Sequence, residues 1–392
     1  MSAPATATGN HPLLPSAPPP KTLLGRYRLL APTASVWVSP LCLGAMNFGD
    51  AWEKILGACS QETTEQILDH FFESGGNFID TASNYQYEES ETRVGAWMKK
   101  RNNRDQIVLA TKYSTNYQTR PQAPAGGSHK IYANYGGNGT KSLHVSVEAS
   151  LKKLQTDYID ILYIHWYDMT TSIPELMTSL NRLVSAGKVL YLGVSDTPAW
   201  VVSKANEFAR CHGLRPFSVY QGRWSASFRD FERDIIPMCK AEGMGIAPWG
   251  ALGSGRFRTE AQRAEAKKEG RQAEPSEAEV KVSQALEKVA ARKKTLITSV
   301  ALAYVSAKAP YVFPIVGCRT VEHLKGNIAA LEVKLSDEDI KEIEGAVPFD
   351  LGFPMGFLYG KSEVPESAGD MFTMQMNGVL DHVKEVRAFN RE

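Results

Sequence analysis

No window of about 18 predominantly apolar residues occurs in this 392-residue chain, so nothing in it reads as a membrane-spanning helix. Cysteine is scarce and odd in number. Cys42, Cys59, Cys211, Cys239 and Cys318 lie far apart and supply neither a disulfide framework nor a zinc-ligand spacing. Excess charge of one sign is also missing: a net charge of +1 offers no field for nucleic acid or an anionic membrane, which leaves a small molecule as the expected partner. No H-x-x-x-H or H-E-x-x-H word occurs, and His70 and His144 fall in helical patterns, so no metal site is expected. The dinucleotide fingerprint G-x-G-x-x-G follows none of the apolar runs, which weakens an open doubly wound sheet. No basic-then-apolar leader opens the sequence, and with the cysteine usage this points to the cytosol.

What the chain does have is a regular alternation. Residues 1–22, "MSAPATATGNHPLLPSAPPPKT", read as a disordered tail, and "RYRLLAPTASVWVSP" as a β-hairpin. Eight short apolar runs follow, at 41–46, 77–82, 107–113, 158–166, 189–195, 217–222, 244–250 and 311–317, each without clean alternation, as strands buried on both faces require. Amphipathic stretches at 61–74, 88–101, 142–155, 174–187 and 199–212 separate them. Eight such units predict a (β/α)₈ barrel over 23–345, with an N-terminal hairpin and extended loops at the C-terminal face. The Gly/Pro/Asn-rich stretch 114–141 reads as one of these loops, and the charged stretch 255–294 as a solvated helical insertion. Residues 346–392 leave the repeat and are expected to pack on the barrel or on a neighbouring subunit. The sequon at 138–140 reads as a chance match.

Reactive side chains stand where apolar runs end. Asp80 ends the second, Lys112 the third and His165 the fourth, with Tyr85 on the loop just after Asp80. Barrel enzymes carry their sites at the C-terminal strand ends, and consecutive strands are neighbours, so these groups converge. A carboxylate that closes a buried strand needs a partner, and Lys112 can be that partner.

Four stretches, "GGNFIDTASNY" (75–85), "LATKY" (109–113), "YIDILYIHWYD" (158–168) and "IVGCRTVEHLKGNI" (315–328), together with "GVSDTPAW", "YQGRWS" and "APWGALGSGRF", resemble the aldo-keto reductase superfamily over roughly residues 26–335. They look most like its fungal aryl-alcohol dehydrogenase and norsolorinic-acid-reductase-like members. The resemblance implies NADPH-dependent reduction of aromatic aldehydes or ketones, reversible toward alcohols, with Asp80, Tyr85, Lys112 and His165 as the catalytic groups. Tyr85 would be the proton donor, Lys112 would lower its pKa, Asp80 would orient Lys112, and His165 would polarise the carbonyl oxygen. A cofactor-binding regulatory barrel with slow turnover, as potassium-channel β-subunits resemble, is the alternative.

For the cofactor the resemblance places Ser195, Asp196 and Gln221 on the nicotinamide carboxamide and Trp249 against its ring. Gly250, Ala251, Leu252, Gly253, Gly255 and Arg256 fall along the pyrophosphate, and Arg319, His323 and Asn327 at the 2′-phosphate and adenine. An arginine at the phosphate argues for NADP over NAD. Asp196 stands where much of the superfamily has Asn. Gly317, Cys318 and Gly326 replace Lys, Ser and Glu of other branches, so the clamp rests mainly on Arg319. Met46, Trp52, Tyr113, Trp166, Trp224 and Phe228 are expected to form an aromatic substrate pocket.

Overall fold

Short β-branched and aromatic runs separated by capped amphipathic stretches leave one arrangement that buries both faces of every strand, a parallel sheet wrapped by helices. The computed structural model has this arrangement, and it describes residues 16–118, 131–268, 275–360, 367–383 and 388–390. A hairpin comes first, with β1 (Arg28–Ala31) antiparallel to β2 (Ala34–Val38). Eight parallel strands follow: β3 (Cys42–Gly44), β4 (Phe78–Asp80), β5 (Val108–Tyr113), β6 (Ile159–Ile164), β7 (Val189–Ser195), β8 (Phe217–Arg223), β9 (Gly245–Trp249) and β10 (Ile315–Gly317). They pair in the order β10-β3-β4-β5-β6-β7-β8-β9. The ring closes where Ile246 donates to Tyr311 O and Phe313 donates to Ile246 O, a parallel bridge leading into β10.

Helices start where the sequence supplies caps. Ser60 caps Gln61–Glu73, Ser172 with a proline in the first turn caps Ile173–Ser185, and Thr320 caps Val321–Ala329. The expected helices 61–74, 88–101, 142–155, 174–187 and 199–212 are found within a residue or two of those limits. The stretch 255–294 departs from expectation. It holds two helices, Glu260–Lys268 and Glu277–Lys293, and the second buries Val282, Leu286 and Val289 against the barrel rather than standing free in solvent. Its charges mask a 3.6-residue apolar stripe.

Inside the barrel the side chains alternate with period two. Phe78, Val108, Ala110, Ile161, Tyr163, Val219, Ala247 and Phe313 form an inner apolar cluster, and Leu30, Ala31, Ala34 and Val38 of the hairpin join it from below. The hairpin therefore plugs the N-terminal end, fixed there by Thr33 Oγ1 donating to Gly243 O. Of the tail expected over 1–22, residues 1–15 lie outside the described residues, while Thr22 already caps Leu23–Gly25 and donates to Ser74 O. At the other end of the chain, Leu335 donates to Asn390 O and Asn390 Nδ2 donates to Val333 O, which sets residues 388–390 against the barrel. No helix among the described residues is long and apolar enough to cross a membrane.

Candidate active site

One step further along each strand from the apolar cluster the same alternation turns polar. Phe78 is followed by Asp80, Ala110 by Lys112, Tyr163 by His165, Val219 by Gln221 and Ala247 by Trp249, so these side chains share the layer above the plug. Strand pairing sets Asp80 beside Ala110, one inward position below Lys112, and the two side chains meet: Lys112 Nζ lies 2.6 Å from Asp80 Oδ2 and 2.8 Å from Thr81 O. Lys112 is completely buried. Burial acts to lower its pKa, but Asp80 and then Tyr85 outweigh this and hold it above the ordinary lysine range.

The second oxygen of Asp80 accepts from Gln221 Nε2 at 2.9 Å, across 141 residues of sequence. Sequence reasoning assigned Gln221 to a carboxamide and missed this bond; no local signal links two residues so distant. One of the two N–H donors of Gln221 is thereby committed to Asp80, which leaves the other and the carbonyl for further partners.

Tyr85 packs near both charged and neutral partners. The ammonium of Lys112 lies 4.8 Å from its ring centre, and the His165 ring meets it edge-on with centroids 5.8 Å apart. Burial pushes the phenol's pKa up, and the charge of Lys112 with a hydrogen bond from it pulls the other way. Lys112 thus acts in the expected direction, and burial outweighs it, so the net shift is upward. The turn carrying Tyr85 is strained, with Gln86, Tyr87 and Glu88 all left-handed at φ 52°, 49° and 82°. Such residues persist only when their surroundings fix them. Gln86 supplies that, its side chain donating to Met46 O at 3.1 Å and accepting from Trp52 N at 2.7 Å.

Burial, then the charge of Lys112, lowers His165 to about 3, which keeps it neutral. Its Nδ1 lies 3.4 Å from Thr115 Oγ1, and that oxygen accepts the indole N–H of Trp166 at 3.0 Å. Neither contact was foreseen. The adjacent loop is pinned by a reciprocal pair in which Asn138 N donates to Asp168 Oδ2 and Asp168 N donates to Asn138 Oδ1. Asn138 is fully buried and also donates to Ser114 Oγ and Trp166 O, so the sequon it heads is inaccessible. Residues 119–130 of the long loop lie outside the described residues.

On the far side of the mouth Ser195 Oγ donates to Asp196 Oδ2 at 3.3 Å and Trp249 Nε1 to Asp196 Oδ1 at 3.4 Å. Although Asp196 keeps an exposed edge, partial desolvation in the mouth raises its pKa, with these bonds opposing. After β9, Gly250, Gly253 and Gly255 are left-handed at φ 75°, 68° and 79°, and a Cβ on Gly253 would strike the Phe257 ring at 2.7 Å. Ala251 is buried beneath this loop and Leu252 packs on the core. Arg256 Nη1 is bonded to Glu279 Oε1 at 2.6 Å. Arg319 is exposed, bonded only to Leu56 O at 3.4 Å and paired with no carboxylate among the described residues. It stands beside the N-terminus of Val321–Ala329, on which His323 is exposed and Asn327 buried.

These features fit a phosphorylated dinucleotide: a glycine turn whose backbone can be approached closely, a guanidinium with no carboxylate partner among the described residues next to a helix N-terminus, and polar groups on Ser195, Asp196 and Gln221. Of the expected aromatic lining, Met46, Trp52, Trp166 and Phe228 stand at the mouth, partly exposed, with Trp52 edge-on to Tyr85 at 6.3 Å. Tyr113 and Trp224 do not line it. Tyr113 is buried with its hydroxyl on Asn138 O, and Trp224 stacks on Phe231 with its indole N–H on Glu232.

The aldo/keto reductase family model matches residues 40–348. Norsolorinic acid reductase B of Dothistroma septosporum is 60% identical over 371 residues, covering 92% of this chain and 93% of that protein. An aryl-alcohol dehydrogenase of Pestalotiopsis microspora is 51% identical over 375 residues, 94% of each. The aryl-alcohol dehydrogenase [NADP(+)] of Phanerodontia chrysosporium is 51% identical over 358 residues, 88% of this chain and 91% of that one.

Proposed function

Because the chain belongs to the aldo/keto reductase family, oxidoreductases that act on carbonyl compounds, we propose that it is an NADPH-dependent reductase of aromatic aldehydes and ketones, reversible toward the alcohols. The observation that carries this reading is the meeting of Asp80, Lys112, Tyr85 and His165 at one barrel mouth. The nicotinamide, when bound, supplies the hydride; Ser195, Asp196, Gln221 and Trp249 would hold its ring end, the Gly250–Gly255 turn its pyrophosphate and Arg319 its 2′-phosphate.

The side chains divide the remaining work. As negative charge gathers on the carbonyl oxygen, Tyr85 delivers a proton to it. The phenol's raised pKa keeps that proton in place at neutral pH, and Lys112 stabilises the phenolate that results. Asp80 keeps Lys112 charged and aimed, and Gln221 keeps Asp80 aimed. A neutral His165 acts as a hydrogen-bond donor and not as an acid. In the tautomer in which the Thr115 hydroxyl donates to His165 Nδ1, the Nε2–H is left for the substrate oxygen. Aromatic groups at the mouth, Trp52 and Trp166 foremost, suit a flat aryl substrate.

The test is NADPH consumption with a panel of benzaldehydes and aryl ketones. Turnover supports the reading. Cofactor bound tightly with no turnover on any member would overturn it in favour of a regulatory barrel.

A further inference from the structure

A cavity lies away from the catalytic mouth. It holds about 580 Å³ at the plugged end, between the hairpin, the helices Ile235–Glu242 and Ile297–Lys308, and residues 388–389. That volume is in the range of small-molecule sites. Its walls are mainly apolar, with Leu29, Trp37, Met244, Val312 and Phe389 among them. Among the described residues of the lining, the charged ones are Arg28 and Lys240.

Arg28 is the unusual member. It is half-buried, its guanidinium lies 4.2 Å over the Phe389 ring, and among the described residues it has neither a hydrogen bond nor an acidic partner. Burial, with the like charge of Arg26, lowers its pKa to about 10. A guanidinium presents five N–H donors in a fork that matches a carboxylate, and a half-buried one without an anion is expensive to keep. Tyr311 at the rim is held left-handed at φ 56°, a conformation that an aromatic residue keeps only when its surroundings impose it.

We propose that this cavity is a second ligand site, for a hydrophobic carboxylic acid whose apolar body fills the space beneath the hairpin and whose carboxylate pairs with Arg28. Charge complementarity selects an anion, and the apolar walls select an alkyl or aryl body over a sugar or nucleotide. Phe389 covers the pairing position.

The experiment is calorimetric titration of the full chain with dodecanoate and, separately, with dodecanol, which has the same body and no charge. Dodecanoate is expected to bind at one site at least about tenfold more tightly than dodecanol, the scale of a charged hydrogen bond. Arg28→Met should remove that preference and leave dodecanol binding unchanged, and Arg28→Lys should keep part of it. A diazirine-bearing dodecanoate on the unmodified protein should label residues 306–313 and 388–390, which tests the location without any substitution. Equal binding of acid and alcohol, labelling confined to residues around Trp166 and Trp249, or binding that appears only after residues 388–392 are deleted would overturn the proposal; the last would make the chain's own tail the occupant.

Discussion

The carboxylate of Asp80 is shared between Lys112 Nζ at 2.6 Å and Gln221 Nε2 at 2.9 Å, so one buried anion aims two side chains from strands on opposite sides of the mouth. Removing it should do more than break one ion pair. Asp80→Ala leaves a fully buried ammonium without a counter-charge, and is expected to destabilise the fold by about 3–5 kcal/mol. Asp80→Ala with Lys112→Met should recover much of that stability without recovering activity. Chemical denaturation of the parent and the two variants checks this, and equal stability of the single and double variants would refute it.

Tyr85→Phe removes the phenolic proton but keeps the ring between Lys112, His165 and Trp52. Turnover should fall by about 10²–10⁴-fold, the usual worth of a positioned acid. NADPH affinity, measured by fluorescence titration, should stay within about a factor of two or three of the parent, because a lost hydroxyl that does not touch the nucleotide shifts binding by a few tenths of a kcal/mol.

His165 makes stability depend on pH in a defined window. The folded protein withholds a proton from it until about pH 3, while the unfolded chain accepts one near 6.5. Between those values the unfolded state binds more protons, so stability rises with pH there. The contribution is fully present above about 6.5 and drains away as the pH falls toward 3. Denaturation midpoints taken at neutral and mildly acidic pH should converge in His165→Asn relative to the parent. The same shift implies that the pH profile of turnover has no acid limb near 6.5 from this group.

Arg319→Ala should weaken NADPH by about 10–100-fold, as expected for a charged hydrogen-bond pair, and NADH by little. Equal losses would detach Arg319 from the 2′-phosphate.

Much of this site was legible because its members interrupt apolar runs. Asp80, Lys112 and His165 are expensive where they stand, and the barrel pattern puts the ends of three adjacent strands together. The same period-two rule carried a signal that the reading of aromatics overlooked. If Lys112 and Gln221 face inward, Tyr113 faces the helix layer, and Trp224 likewise leaves the barrel interior, where both are found. A charged residue after a glycine turn gives no clue that Glu279, 23 residues on, bonds Arg256. The bonds from Gln221 to Asp80 and from Thr115 to His165 depend on barrel closure and loop path, which local sequence does not encode.

The hairpin plug makes the barrel a vessel with one doorway. Leu30, Ala31, Ala34 and Val38 stopper the floor, so nothing passes through, and every guest departs by its route of entry. Any two guests therefore share that doorway, because four aliphatic side chains close the side opposite the chemistry.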